Sequence, residues 1–168
     1  MNISELIQSG SKVLKLNKIE THQLDSELVL SNLLKKQREN LITDLNLKVS
    51  KTTVLNFEKL INRRAKREPI AYILKNKEFW SKEFLVNRYT LIPRPETELL
   101  CENIIKIFKN KNLYLLDMGT GSGCIILSIL TELKNAKGIG VDISRKAIEV
   151  AKKNANKLNL NKKVKFFN

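Results

Sequence analysis

The stretch Leu113–Gly123 reads Leu-Tyr-Leu-Leu-Asp-Met-Gly-Thr-Gly-Ser-Gly, and few folds can accommodate it. An apolar run ends at Asp117, glycines then alternate with small hydroxyl residues, and an apolar helical segment, Cys124–Leu133, follows at once. That order describes a buried parallel strand turning sharply into a helix, with main chain bared at the turn. Glycine permits the positive φ angles of such a turn and lets a ligand approach where a Cβ would block it. The helix start adds unpaired N–H groups. Such a loop suits a nucleotide-like ligand.

The spacing narrows the ligand. A dinucleotide fold calls for Gly-x-Gly-x-x-Gly, whereas Gly119, Gly121 and Gly123 alternate with Thr120 and Ser122, and Cys124 stands where the last glycine would be. The next apolar run, Gly138–Val141, ends in Asp142, and Ser144 can cap a second helix, Arg145–Leu158. An acid at the tip of the second strand can accept hydrogen bonds from both ribose hydroxyls. No P-loop Gly-x-x-x-x-Gly-Lys occurs. Asp117 before the glycines and Asp142 after the second strand suit a cationic, ribose-bearing ligand without phosphates. S-adenosylmethionine meets that description; the alternative is an ordinary strand–turn–helix with glycines for packing.

The 168 residues are 42% hydrophobic and 29% charged, as expected for a soluble globular chain of one or two small domains. No apolar stretch approaches a membrane span, and Met1–Gly10 lacks the basic flank and apolar core of a secretion signal. Cys101 and Cys124 are isolated and His22 is the single histidine, so no metal site is expected, and a reduced, cytoplasmic setting is. The net charge of +14 is spread along the chain, with concentrations at Arg63–Arg67 and Lys162–Lys165. It reads as a solvated basic surface, or as a face that assists approach to a ribosome or another RNA-bearing partner.

Residues 1–70 read as a helical bundle closed by Pro69. Ile3, Leu6, Ile7, Val13 and Leu14 recur at helical spacing, as do Leu24, Leu28, Val29, Leu33 and Leu34, then Val54, Phe57, Leu60 and Ile61 behind a Ser50 cap. His22 reads as a solvated or locally hydrogen-bonded histidine. Residues 71–95 turn aromatic and β-branched, including Ala71–Leu74, and predict a β-hairpin linker with strands on either side of Asn87-Arg88. Glu96 and Glu98 favour the start of a helix whose buried face is expected at Leu99, Leu100, Ile104, Ile105 and Phe108. Residues 96–168 then hold strand, helix, strand, helix and a third strand at Lys163–Phe167. The fold class is therefore α/β: a helical bundle, a hairpin linker, and the first half of a class I, Rossmann-like domain. Strand Leu113–Met118 is expected to keep a bare edge and exposed apolar side chains.

With Phe79-Trp80, Ile92-Pro93-Arg94-Pro95-Glu96-Thr97-Glu98, Leu116–Cys124 and Val141-Asp142-Ile143-Ser144 in order, the chain closely resembles the HemK/PrmC family of protein-glutamine N5-methyltransferases. Arg67–Ile73 also resembles that family's domain junction. These enzymes modify the glutamine of the Gly-Gly-Gln loop of peptide chain release factors. The resemblance implies that Gly119, Thr120, Gly121, Ser122 and Gly123 line the methionine and sugar of S-adenosylmethionine, with Asp142 on the ribose. It implies that Asp117 orients the glycine turn and sits toward the ligand ammonium, that Arg94 and Pro95 shape a substrate-pocket mouth, and that the helical domain docks the release factor. Arg94 has a plainer alternative, an ion pair with Glu98.

The family's Asn-Pro-Pro-Tyr motif, which would grip the substrate amide, does not occur in the chain. No catalytic residue is therefore assigned, and the chain reads as truncated before that motif. The resemblance implies methyl transfer to a release-factor glutamine. The alternatives are a non-catalytic remnant that binds release factor or ribosome, and a related methyltransferase with another protein or nucleic-acid acceptor.

Overall fold

The computed structural model describes residues 1–168, the side chain of Ile42 excepted. It divides into two compact units, Met1–Leu74 and Lys75–Asn168.

The first unit is helical: α1 (Ile3–Leu16), α2 (His22–Leu34), α3 (Arg38–Thr43), α4 (Lys51–Ala65) and α5 (Ile70–Leu74). A reciprocal cap starts α1, with the Glu5 N–H donating to Asn2 Oδ1 at 2.8 Å and the Asn2 N–H to Glu5 Oε2 at 2.9 Å. Ser50 caps α4 through the Thr53 N–H, 3.1 Å. Leu6, Leu14, Val29, Leu30 and Phe57 form the centre of the core. Gly10 lets α1 approach its neighbours closely, because a Cβ there would lie 2.6 Å from both Phe57 Cζ and Ser26 Oγ. Ser26 spends its hydroxyl on the Ile7 carbonyl, 2.7 Å. Buried Asp25 accepts from Arg64 Nε at 2.6 Å and from Thr21 Oγ1 at 2.8 Å. His22 Nδ1 is 2.8 Å from Ser11 Oγ, so the histidine is locally hydrogen-bonded.

Two features of the junction differ from expectation. Residues 71–74 are helical rather than extended: the Pro69 carbonyl accepts the Tyr72 and Ile73 N–H groups at 3.0 and 3.2 Å. Proline thus begins a last helix instead of closing the bundle, as its fixed φ allows at a helix start. The hairpin is β1 (Asn76–Phe79) and β2 (Lys82–Leu85), and its turn is Trp80-Ser81, not Asn87-Arg88. A two-residue hairpin turn of type I′ takes positive φ at both positions, and Trp80 and Ser81 adopt 54° and 52° without a glycine to signal it. The Trp80 N–H donates to Glu98 Oε1 at 2.9 Å and its indole N–H to Glu132 Oε1 at 3.2 Å, which holds the turn.

A short 3-10 turn at Pro95–Thr97 leads into α6 (Glu98–Phe108), followed by β3 (Tyr114–Met118), α7 (Cys124–Glu132), β4 (Lys137–Val141), α8 (Arg145–Lys157) and β5 (Val164–Phe167). The three strands are parallel in the order β3-β4-β5. One face of this sheet is covered: Leu115, Val164 and Phe166 pack with Ile126, Leu127, Leu130 and Ala151 of α7 and α8. Phe79 and Phe84 join the same core, edge to face at 6.2 Å. The hairpin therefore belongs with the sheet, rather than forming a separate linker. On the opposite face Tyr114, Leu116, Met118 and Phe167 are exposed. In α6 the buried residue is Cys101, with Ile104, Ile105 and Phe108 half-buried; Leu99 and Leu100, expected inside, are exposed.

The tight contact at Gly10 gives a direct check. Gly10→Ala is expected to cost about 1–3 kcal/mol through overpacking, seen as a lower urea midpoint in far-ultraviolet circular dichroism. An unchanged midpoint would show that Phe57 and Ser26 yield freely.

Candidate functional site

The register of the sheet assembles the site. Met118 is opposite Val141, so the turn after β3 reaches the tip of β4. There the N–H groups of Gly119 and Thr120 both donate to the Val141 carbonyl at 2.9 Å. The Gly121 N–H donates to Asp142 Oδ2 at 2.9 Å, and the Ser144 N–H to Asp142 Oδ1 at 2.8 Å. Asp142 therefore ties the glycine loop to the start of α8, which Ser144 caps through the Ala147 N–H at 3.2 Å.

The five loop residues differ in what they offer. Gly119 has φ +75° and nothing within 4 Å of an added Cβ, so its main chain is open to an approaching group. Gly123, at φ +79°, is packed instead: a Cβ there would sit 3.1 Å from Leu127 Cδ1 and 3.3 Å from Ala151 Cβ. Thr120 is buried, with its hydroxyl donating to Asp117 Oδ2 at 2.7 Å. Ser122 is buried too, its side chain beside the Cys124 thiol. Main chain, rather than the two hydroxyls, lines the exposed side of this loop.

Asp117 is the unusual group. Burial pushes its carboxyl above the ordinary carboxylate range, the Thr120 hydroxyl and the Ile126 N–H draw it back, and the Asp142 charge raises it further. Burial likewise raises both thiols, Cys101 to about 12, so neither is a reactive thiolate. Arg94 and Pro95 stand exposed at the start of the 3-10 turn. Glu98 accepts from the Trp80 N–H, and the Arg94 side chain makes no ion pair among the described residues, so the alternative Arg94–Glu98 bridge is not formed.

Two features escaped sequence reasoning. Asn154 of α8 is buried; it donates to the Ser122 carbonyl at 2.8 Å and the Leu85 carbonyl at 3.0 Å, and accepts from the Leu85 N–H at 2.7 Å. Its signal was an asparagine on the helix stripe shared by Ala147, Ile148, Ala151 and Ala155. The second is a cationic cluster: Tyr89 Oη accepts from Lys146 Nζ at 2.9 Å and Arg88 Nη2 at 2.7 Å, and these bonds lower its phenol below the usual range. No group of metal-ligating side chains occurs among the described residues. No helix there is long and apolar enough to cross a membrane.

The chain is similar in sequence to known proteins along most of its length. Residues 5–74 match the PrmC N-terminal domain, and residues 109–167 match a methyltransferase domain. Over 167 residues the chain is 40% identical to the release factor glutamine methyltransferase of Buchnera aphidicola subsp. Acyrthosiphon pisum, covering 99% of this chain and 59% of that protein. It is 39% identical over 171 residues to the bifunctional methyltransferase of Rickettsia typhi, covering 89% of this chain and 33% of that one. The chain thus spans at most about three fifths of the length of these relatives. Among solved structures it aligns with the hMettl16 catalytic domain in complex with the MAT2A 3′UTR hairpin 1, at 17% identity and a TM-score of 0.46, over 82% of this chain and 46% of that one.

The half-buried Asp117 carboxyl yields a signed expectation. A carboxyl held above its unfolded-state range binds its proton more tightly when folded, so its contribution falls as pH rises through the folded value. Thr120→Val removes the hydroxyl that offsets this. It is expected to destabilise the chain by about 1–3 kcal/mol at pH 7, and by less below the ordinary carboxylate range, in paired melts at the two pH values. Equal losses at both would mean Asp117 does not carry the effect.

Proposed function

We propose that this chain, a relative of the release factor glutamine methyltransferases, binds S-adenosylmethionine on the Gly119–Gly123 loop and serves methyl transfer to a release-factor glutamine side chain. One observation carries the reading. An open main-chain turn is flanked by two carboxylates, one at its base (Asp117) and one joined to its middle (Asp142). A triphosphate or dinucleotide would meet negative charge where it needs positive, whereas a sulfonium carrying an α-ammonium finds complementary field.

The residues fit that ligand. Each oxygen of Asp142 accepts one main-chain N–H. A carboxylate oxygen has a second lone pair, so both can still accept a ribose hydroxyl. Ile143, fully exposed next to it, offers an apolar surface for a base. Gly119 leaves room for the ligand's amino-acid part, and Asp117 sets the turn through Thr120 while adding negative charge beneath it. When bound, the sulfonium supplies an electrophilic methyl carbon for direct displacement. Arg94 and Pro95 are assigned to the mouth of the acceptor pocket and the helical unit to docking of the release factor. No residue of this chain is assigned to gripping the acceptor amide.

Isothermal titration is the test. Micromolar binding of S-adenosylmethionine is expected, with none for ATP or NAD; the reverse preference would overturn the reading. Alanine at position 142 would also remove the Gly121 and Ser144 acceptor, so the sharper comparison is Asp142→Asn. Removing both ribose hydroxyls from S-adenosylhomocysteine is expected to cost the native chain about tenfold or more in affinity and the variant clearly less. An identical cost in both would remove Asp142 from the sugar.

The raised Asp117 carboxyl sets the pH dependence. Below its folded value it is neutral and offers the ligand cation nothing, so affinity for S-adenosylmethionine is expected to rise with pH as it ionises. Asp117→Asn should flatten that rise. A profile unchanged by the substitution would assign the slope to another group.

A further inference from the structure

The hydrogen bonds of Asn154 tie the glycine loop to the end of hairpin β1–β2. Its Nδ2 donates to the Ser122 carbonyl at 2.8 Å and to the Leu85 carbonyl at 3.0 Å, while its Oδ1 accepts the Leu85 N–H at 2.7 Å. Only 1% of the residue is exposed. Leu85 is the last residue of β2, so the amide continues that strand's edge as another strand would. No other short side chain supplies two donors and an acceptor in this arrangement. Aspartate has no donor when ionised, and leucine has neither kind of group.

On the loop side, the peptide between Ser122 and Gly123 is fixed at both ends. Its carbonyl is held by Asn154, and its N–H donates to the Thr120 carbonyl at 2.8 Å. Thr120 in turn rests on Asp117, and Gly121 on Asp142. The turn is thus held by half-buried Asp117 and Asp142 and by buried Asn154, and Asn154 is the anchor that connects it to the hairpin.

We propose that Asn154 is a positioning residue for the ligand-binding loop, and that through it hairpin β1–β2 influences affinity there. This rests on the reading of Gly119–Gly123 as the binding loop. A residue that merely stabilised the fold would change the melting temperature alone. A positioning residue changes the local order of the loop and the affinity of chains that remain folded.

The experiment uses the whole chain, with S-adenosylhomocysteine as the probe. Amide hydrogen exchange is first recorded without ligand, in the native chain, Asn154→Leu and Asn154→Asp. Faster exchange at Gly121, Gly123 and Leu85 is expected in both variants, with the α1–α4 amides unchanged. Binding well below the melting transition is then expected to weaken by about tenfold, as for a lost buried hydrogen bond. Measured against the native chain at each pH, the affinity deficit of Asn154→Asp should shrink as pH falls and its carboxyl regains an O–H donor, while that of Asn154→Leu should not. Unchanged exchange at the three amides, or unchanged affinity in folded variants, overturns the proposal. If both variants fail to fold, the native chain decides. Slow exchange of the Asn154 side-chain amide and a scalar coupling across its bond to the Ser122 carbonyl support it, and rapid exchange overturns it. Failure of the native chain to bind S-adenosylhomocysteine would instead reject the binding-loop reading, which the ligand-free exchange data do not require.

Discussion

Two neighbouring parallel strands end level with each other, and the chemistry of the second unit follows from that alignment. Because Met118 is opposite Val141, the first residues after β3 arrive beside the last carbonyl of β4. The Val141 oxygen takes two N–H groups from the turn, and the next residue, Asp142, takes a third. A register shift of one residue would reverse the side chains of the whole strand. It would send Asp117 to the exposed face and Met118 into the core. The two carboxylates lie near each other because the sheet is paired in this register, although 25 positions separate them in sequence.

Holding Asp117 inside costs free energy that the rest of the turn offsets. Its environment favours the neutral form, while Thr120 and the first turn of α7 favour the charged one. The helical unit handles its own buried carboxylate differently. Asp25 meets a guanidinium directly, at 2.6 Å from Arg64, so charge is matched by charge. One carboxylate is satisfied within its own unit; the other retains negative field that a bound cation would satisfy.

Much of this was legible in the sequence where periodicity and backbone chemistry coincide. The Gly-x-Gly-x-Gly run, its flanking acids and the Ser144 cap marked strand, turn and helix within a residue or so of their observed ends. Features that depend on tertiary partners were not legible. Trp80-Ser81 form a left-handed turn because Glu98 and Glu132, distant in sequence, hold the tryptophan. Leu99 and Leu100 carry an apolar signal yet are exposed, since the helix turns Cys101 inward instead. Asn154 resembles the surface asparagines around it, and only its place on the buried stripe distinguishes it.

The uncovered side of the sheet has a consequence for how the molecule behaves in salt. Tyr114, Leu116, Met118 and Phe167 form an oily strip, but Lys137 sits opposite Tyr114 and Lys165 opposite Ile139. Two such strips stacked together would press ammonium groups against ammonium groups. At low ionic strength that repulsion opposes stacking of copies, as charged gatekeepers do in other exposed sheets. Above about 0.1 M the screening distance shrinks to roughly 10 Å and below. Apolar attraction, which such salt hardly weakens, then meets less opposition, so colloidal stability in this chain is a matter of buffer as much as of sequence.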